Sequence, residues 1–125
     1  MVSILIIDDN QTVRRLLRQV LEGVGYSVVD ASNGREGLSR FRQDPTDLVI
    51  TDILMPDKDG LETILELRRE FPDVKIIAFT GETGQGNFLD VAKLLGANRT
   101  LTKPFDVVAL RETVQDLLEI WPGHI

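Results

Sequence analysis

Ile4-Leu5-Ile6-Ile7-Asp8-Asp9-Asn10-Gln11-Thr12-Val13-Arg14-Arg15-Leu16-Leu17-Arg18-Gln19-Val20-Leu21 is the stretch on which the fold turns. Its first four residues are apolar without alternation, as in a strand covered on both faces, and such strands belong to parallel sheets. The apolar residues then change period. Val13, Leu16, Leu17, Val20 and Leu21 fall at i, i+3, i+4, i+7 and i+8, the spacing of one helix face. Asn10 stands where an N-cap is needed, and Gly23 and Gly25 supply the stop. A doubly buried strand followed at once by an amphipathic helix is one β-α unit.

The same unit recurs outward along the chain. Further strands are expected at Ser27-Val28-Val29-Asp30, Leu48-Val49-Ile50-Thr51, Val74-Lys75-Ile76-Ile77-Ala78-Phe79 and Thr100-Leu101-Thr102. The second and fifth are the weaker runs, as suits strands near an edge. Helical segments fall between and after them. Ser32 to Phe41 fills the second gap, and Leu61, Ile64 and Leu65 mark a face in the third. Asn87 to Leu95, closed by Gly96, fills the fourth, and Val107, Leu110, Val114, Leu117 and Leu118 line the last helix. Five alternations give an α/β fold, (βα)5, with a doubly wound five-stranded parallel sheet and right-handed crossovers. At 125 residues the expectation is a single domain over 1–125 with a core of its own.

Composition removes several classes of function. Cysteine is absent and the one histidine is His124, which leaves no disulfide framework, thiol nucleophile or His-rich metal site. Twenty acidic against fourteen basic residues, net −6, is a poor balance for gripping nucleic-acid phosphates, so no direct nucleic-acid partner is expected. No apolar run approaches a membrane span and no secretory signal is evident, so the expected location is the cytoplasm.

Open α/β sheets bind ligands outside the carboxyl ends of their strands. Asp8 and Asp9 follow the first strand, Asp52 ends the third, Thr80 follows the fourth and Lys103 the fifth. One aspartate there is ordinary turn punctuation; this whole set is harder to dismiss. Three carboxylates against one lysine leave two negative charges, which a divalent cation would balance. Hard oxygen donors in a half-open site suit Mg²⁺. A carboxylate beside such an ion can attack a phosphoryl group, with a lysine and a hydroxyl stabilising the transferred oxygens. Asp52, Lys103 and Thr80 fit those roles.

With these residues in place, the chain resembles the receiver domain of two-component response regulators, chemotaxis-regulator-like in its extent. The motifs are Ile6-Ile7-Asp8-Asp9-Asn10, Asp47 to Pro56 followed by Asp59-Gly60, Phe79-Thr80-Gly81, Leu95-Gly96-Ala97 and Thr102-Lys103-Pro104-Phe105. The resemblance implies a flavodoxin-like strand order 2-1-3-4-5. It implies Asp52 as phosphoacceptor, Mg²⁺ or Mn²⁺ held by Asp8, Asp9, Asp52 and the Leu54 carbonyl, Thr80 as switch hydroxyl and Lys103 on a phosphoryl oxygen. It also implies a cis bond at Pro104, and Pro56 and Gly60 as shapers of the loop beside the acceptor. The partners implied are a sensor histidine kinase or histidine phosphotransfer protein and a downstream target protein. The chain would be no enzyme beyond promoting its own phosphorylation and dephosphorylation. Leu54 and Glu82 would border the path of attacking water, with Leu54 shielding the phosphorus and lengthening the life of the phosphorylated state.

Thr100 departs from the family, which usually carries an aromatic residue three before the lysine. The glycines of Gly81-Glu82-Thr83-Gly84-Gln85-Gly86 read either as a mobile readout loop or as ordinary loop composition. Arg14, Arg15 and Arg18 read either as a solvated helix flank or as a docking face. Phe88, Leu89, Leu94 and Leu95 read as core with one exposed output residue, Trp121 as packing for the last helix and His124 as tail. The start near Met1 and the six residues after Glu119 lead to the expectation of a stand-alone receiver; the rival is the N-terminal receiver of a longer regulator. A haloacid-dehalogenase-like phosphatase would want a second aspartate where Leu54 stands. A flavodoxin-like flavin carrier would want a phosphate loop where Asp8-Asp9 stand.

Overall fold

The computed structural model describes residues 1–53, 60–80, 88–103 and 106–119. The elements run β1 (Ser3–Ile7), α1 (Gln11–Val24), β2 (Ser27–Ala31), α2 (Gly34–Gln43), β3 (Leu48–Asp52), α3 (Gly60–Glu70), β4 (Lys75–Thr80), α4 (Phe88–Leu95), β5 (Arg99–Thr102) and α5 (Val107–Glu119). The strands form one sheet in the order β2-β1-β3-β4-β5. Every neighbouring pair is parallel, with Ile4 opposite Val28 and Leu48, Ile50 opposite Ile77, and Phe79 opposite Leu101. This is the expected (βα)5 architecture and strand order.

The unbroken apolar runs are explained by two cores, one on each face of the sheet. Leu5, Ile7, Val49, Ile76 and Ala78 point to the side where Leu38, Phe41, Ile64, Leu67 and Ala92 come from α2, α3 and α4. Ile4, Ile6, Leu48, Ile50, Ile77 and Phe79 point to the other, against Leu17 and Leu21 of α1 and Leu110, Val114 and Leu117 of α5. Side chains alternate along each strand, but both faces are buried, so alternation vanishes from the sequence.

Local signals place the helix ends. The Asn10 side chain accepts from the Val13 N–H, capping α1 as expected. Gly25 takes φ 109° at the C-cap, whereas Gly23 lies inside the helix. The Asn33 side chain accepts from the Glu36 N–H and so starts α2 at Gly34, two residues later than the periodicity suggested. β4 is displaced by one residue from its apolar run, to Lys75–Thr80, and β5 begins one residue earlier than expected, at Arg99.

Three apolar positions assigned to buried faces lie outward instead. Leu16 is 50% exposed, and Leu65 and Val107 are also exposed. On α1 the buried residues are Leu17 and Leu21, and Leu16 is turned about 100° from Leu17, onto the helix flank. Leu94, on α4, is 86% exposed, as expected for one of that group, while Leu95 packs against the core. Trp121, His124, Pro56, Pro104 and the 81–86 loop lie outside the described residues, as do the side chains of Phe88 and Leu89.

Candidate functional site

Parallel pairing brings the carboxyl ends of β1, β3 and β5 to the same rim. Asp8 is the first residue past β1, and its N–H still donates to the Ala31 carbonyl of β2 at 3.1 Å. Asp52 is the last residue of β3, in register with Phe79. Lys103 follows β5 directly. Ligand oxygens of Asp8, Asp9 and Asp52 all lie within 4.8 Å of one another. The Lys103 Nζ donates to Asp8 Oδ2 at 3.2 Å and to Asp52 Oδ2 at 3.5 Å. It also sits 4.7 Å from the centre of the Phe79 ring, which supports the ammonium from below.

Asp8 and Asp52 are buried, whereas Asp9 is exposed, so the cluster opens to solvent on the Asp9 side. Burial pushes the Asp8 carboxyl above its ordinary pKa. The Asn10 N–H, which donates to Asp8 Oδ1 at 2.8 Å, and the Lys103 charge pull the other way, and neighbouring Asp9 adds to the rise. The rim sets three carboxyl groups against one lysine, an excess of acidic groups. A divalent cation coordinated through oxygen matches that excess and the hardness of the donors.

Two glycines let the backbone close around this rim. The Gly60 N–H donates to the Ile53 carbonyl at 2.7 Å, and a Cβ at Gly60 would collide with the Asp52 carbonyl oxygen. Gly60 is thus the residue that lets α3 begin against the end of β3. A Cβ at Gly37 would likewise strike the Ile7 side chain, just before Asp8.

Of the residues singled out in the sequence, Asp8, Asp9, Asp52 and Lys103 come together. Thr80 ends β4 opposite Thr102, on the same rim, and its side chain lies outside the described residues. Leu54, Glu82 and Asp59 lie outside them altogether. Arg14 was not recognisable as a site residue. It is no solvated flank: its Nη1 donates to the Asp8 carbonyl oxygen at 2.7 Å and its Nε lies 3.8 Å from Asp30 Oδ2. A guanidinium at the end of a long stem reaches a partner that its position on the helix does not disclose.

The family model for the response regulator receiver domain matches residues 4–115. The chain belongs to that family. It is the receiver domain of a two-component response regulator. The receiver is 33% identical over 116 residues to the chemotaxis protein CheY of Halobacterium salinarum, covering 93% of this chain and 96% of that one. It is 36% identical over 116 residues to a probable transcriptional regulator ycf27 of Porphyridium aerugineum, covering 93% of this chain and 48% of the relative. The receiver thus spans about half the length of the ycf27 relatives it matches. Among solved structures it resembles the response regulator TrrA of Thermotoga maritima in complex with Mg(2+)-BeF. The TM-score is 0.85 at 37% identity, over 94% of this chain and 99% of that one.

Proposed function

We propose that the receiver accepts a phosphoryl group on Asp52 from a phosphohistidine of a sensor histidine kinase or histidine phosphotransfer protein, and signals a downstream target protein. The observation that carries this reading is the rim itself: three carboxylates within 4.8 Å and the Lys103 ammonium between two of them. The likeness to TrrA, a response regulator solved in complex with Mg(2+)-BeF, supports it.

Asp8, Asp9 and Asp52, with the Leu54 carbonyl, would hold Mg²⁺ or Mn²⁺. A bound divalent ion supplies charge stabilisation on the phosphoryl oxygens. Asp52 attacks through a carboxylate oxygen; the new O–P bond forms as the N–P bond of the phosphohistidine breaks, and the imidazole leaves with its electron pair. Lys103 turns from its carboxylate partners to a transferred oxygen, and the Thr80 hydroxyl donates to another. Hydrolysis by water returns Asp52 and phosphate, so the receiver promotes only its own phosphorylation and dephosphorylation. The cytoplasm is the compartment in which these partners meet.

The test is phosphorylation of the purified receiver by acetyl phosphate with Mg²⁺. One phosphoryl group should appear on the wild type and none on Asp52→Asn or in excess EDTA. Uptake by the Asp52→Asn variant would remove the assignment. The length of the ycf27 relatives favours a second reading of the natural protein, in which an effector domain follows the receiver; the mass of the native gene product decides it.

A further inference from the structure

We propose that Arg14 is a positioning residue for the acidic rim, setting the geometry of Asp9 by holding the peptide that joins it to Asp8. The inference rests on the reading of this rim as a Mg²⁺ site. Asp8 is held at four points: its N–H by Ala31, its Oδ1 by the Asn10 N–H, its Oδ2 by Lys103, and its carbonyl oxygen by Arg14 Nη1 at 2.7 Å. The first three fix Asp8 itself. The fourth acts on the next residue, because the Asp8 C=O and the Asp9 N–H lie in one rigid plane. Fixing that carbonyl fixes the direction in which the Asp9 Cα leaves.

Asp9 needs this more than its neighbours. Asp8 and Asp52 are buried and shaped by packing, whereas Asp9 is exposed. Arg14 is itself restrained. Its side chain is only 17% exposed, and its Nε faces Asp30 on the edge strand β2, which also faces Arg18 Nη1 at 3.8 Å. The edge strand thus aims a residue of α1 at the turn after β1, and a ligand held from behind in this way binds its metal more tightly.

Charge and geometry predict opposite signs, which makes the role testable. Arg14 is a cation beside a cation site, so by Coulomb's law alone its removal should tighten Mg²⁺ binding. As a positioning residue, its removal should weaken binding. The experiment is calorimetric titration with MgCl₂ at fixed ionic strength, using wild type, Arg14→Ala, Arg14→Lys and Arg18→Ala. Arg14→Ala should raise the Kd about tenfold, the scale typical of residues that orient a metal ligand. Arg14→Lys, which keeps the charge but not the fork, should fall between Arg14→Ala and wild type. Arg18→Ala loses its contacts to Asp30 and Glu22 but none to the rim, and should bind as wild type does. The phosphorylation defect of Arg14→Ala should vanish at saturating Mg²⁺, which a misfolded rim would not allow. Unchanged or tighter Mg²⁺ binding by Arg14→Ala overturns the proposal. If that variant does not fold, Arg14→Lys decides alone, and wild-type affinity in it overturns the proposal. A wild type that binds no Mg²⁺ refutes the reading of the rim instead, an outcome distinct from a loss confined to the Arg14 variants.

Discussion

Asp8 carries its charge in a place from which water is shut out, and the fold holds it there against its own preference. Its carboxyl titrates above the ordinary aspartate value, chiefly because burial disfavours the ionised form. Above the unfolded pKa the unfolded chain has released its proton while the folded chain still holds one, so raising the pH through that window lowers stability. This is the reverse of the usual salt-bridged aspartate. Asp8→Asn keeps the shape and an acceptor for the Asn10 N–H but removes the charge. Metal-free Asp8→Asn should therefore melt higher than wild type at neutral pH, with the gap closing as pH falls toward about 4. Thermal melts of both proteins across pH in EDTA check this; a gap that widens on acidification would contradict it. The same buried charge that costs stability is what a cation would use. Asp8, Asp9, Asp52 and Lys103 were legible in the sequence because strand ends announce themselves by where apolar runs stop. Arg14 and the Asn10 N–H were not, since one acts through a long flexible stem and the other through the backbone.

At the scale of elements, the strands that were easiest to read are those buried twice. β1, β3 and β4 write continuous apolar runs because both their faces meet helices. β2 and β5 are edges, with Val29 exposed and Arg99, Thr100 and Leu101 only half-buried, so their sequences are mixed for the reason that makes them edges. The joints between elements are harder to read than the elements. Arg68, on α3, donates to the Gly96 carbonyl through Nη2 at 2.8 Å, to the Pro72 carbonyl through Nη1 at 2.6 Å and to Asn98 Oδ1 at 2.9 Å. Asn98 Oδ1 in turn accepts from the Ile76 N–H. One guanidinium thus ties the end of α3 to the turn before β4 and to the turn between α4 and β5. Arg68→Ala should lower unfolding free energy by about 2 kcal/mol, since it leaves the partly buried Gly96 carbonyl without its donor and unties two exposed joints. Urea denaturation measures that loss, and acetyl-phosphate labelling should persist, because Arg68 stands at the end of the sheet away from the rim. Gly60→Ala should also destabilise the fold, but at the rim. Its Cβ would collide with the Asp52 carbonyl, so the junction of β3 and α3 must open, at a cost of about 2 kcal/mol or more. Labelling should fall with it, because the carboxylate that moves is that of Asp52.

For the molecule as a whole, the two cores lie on opposite faces of one sheet, so loss of either exposes the strands that carry the other. Unfolding should be a single cooperative step, and any ligand that binds only the folded rim should shift that step by mass action. Mg²⁺ at about ten times its Kd should add about 1.4 kcal/mol, or a few degrees in Tm for a domain of this size. The chain carries a net charge of −6, so general screening by salt would also stabilise it. The two effects separate cleanly. Screening depends on ionic strength and should be reproduced by NaCl, whereas site binding needs the divalent ion and its ligands. Melts in MgCl₂ and in NaCl of equal ionic strength should therefore differ in the wild type and coincide in Asp9→Ala. That variant loses an exposed carboxylate and no packing, so its metal-free melt should stay close to that of the wild type. Equal shifts from the two salts in the wild type would mean that the rim is only an acidic patch, and that the charge it concentrates serves no cation of its own.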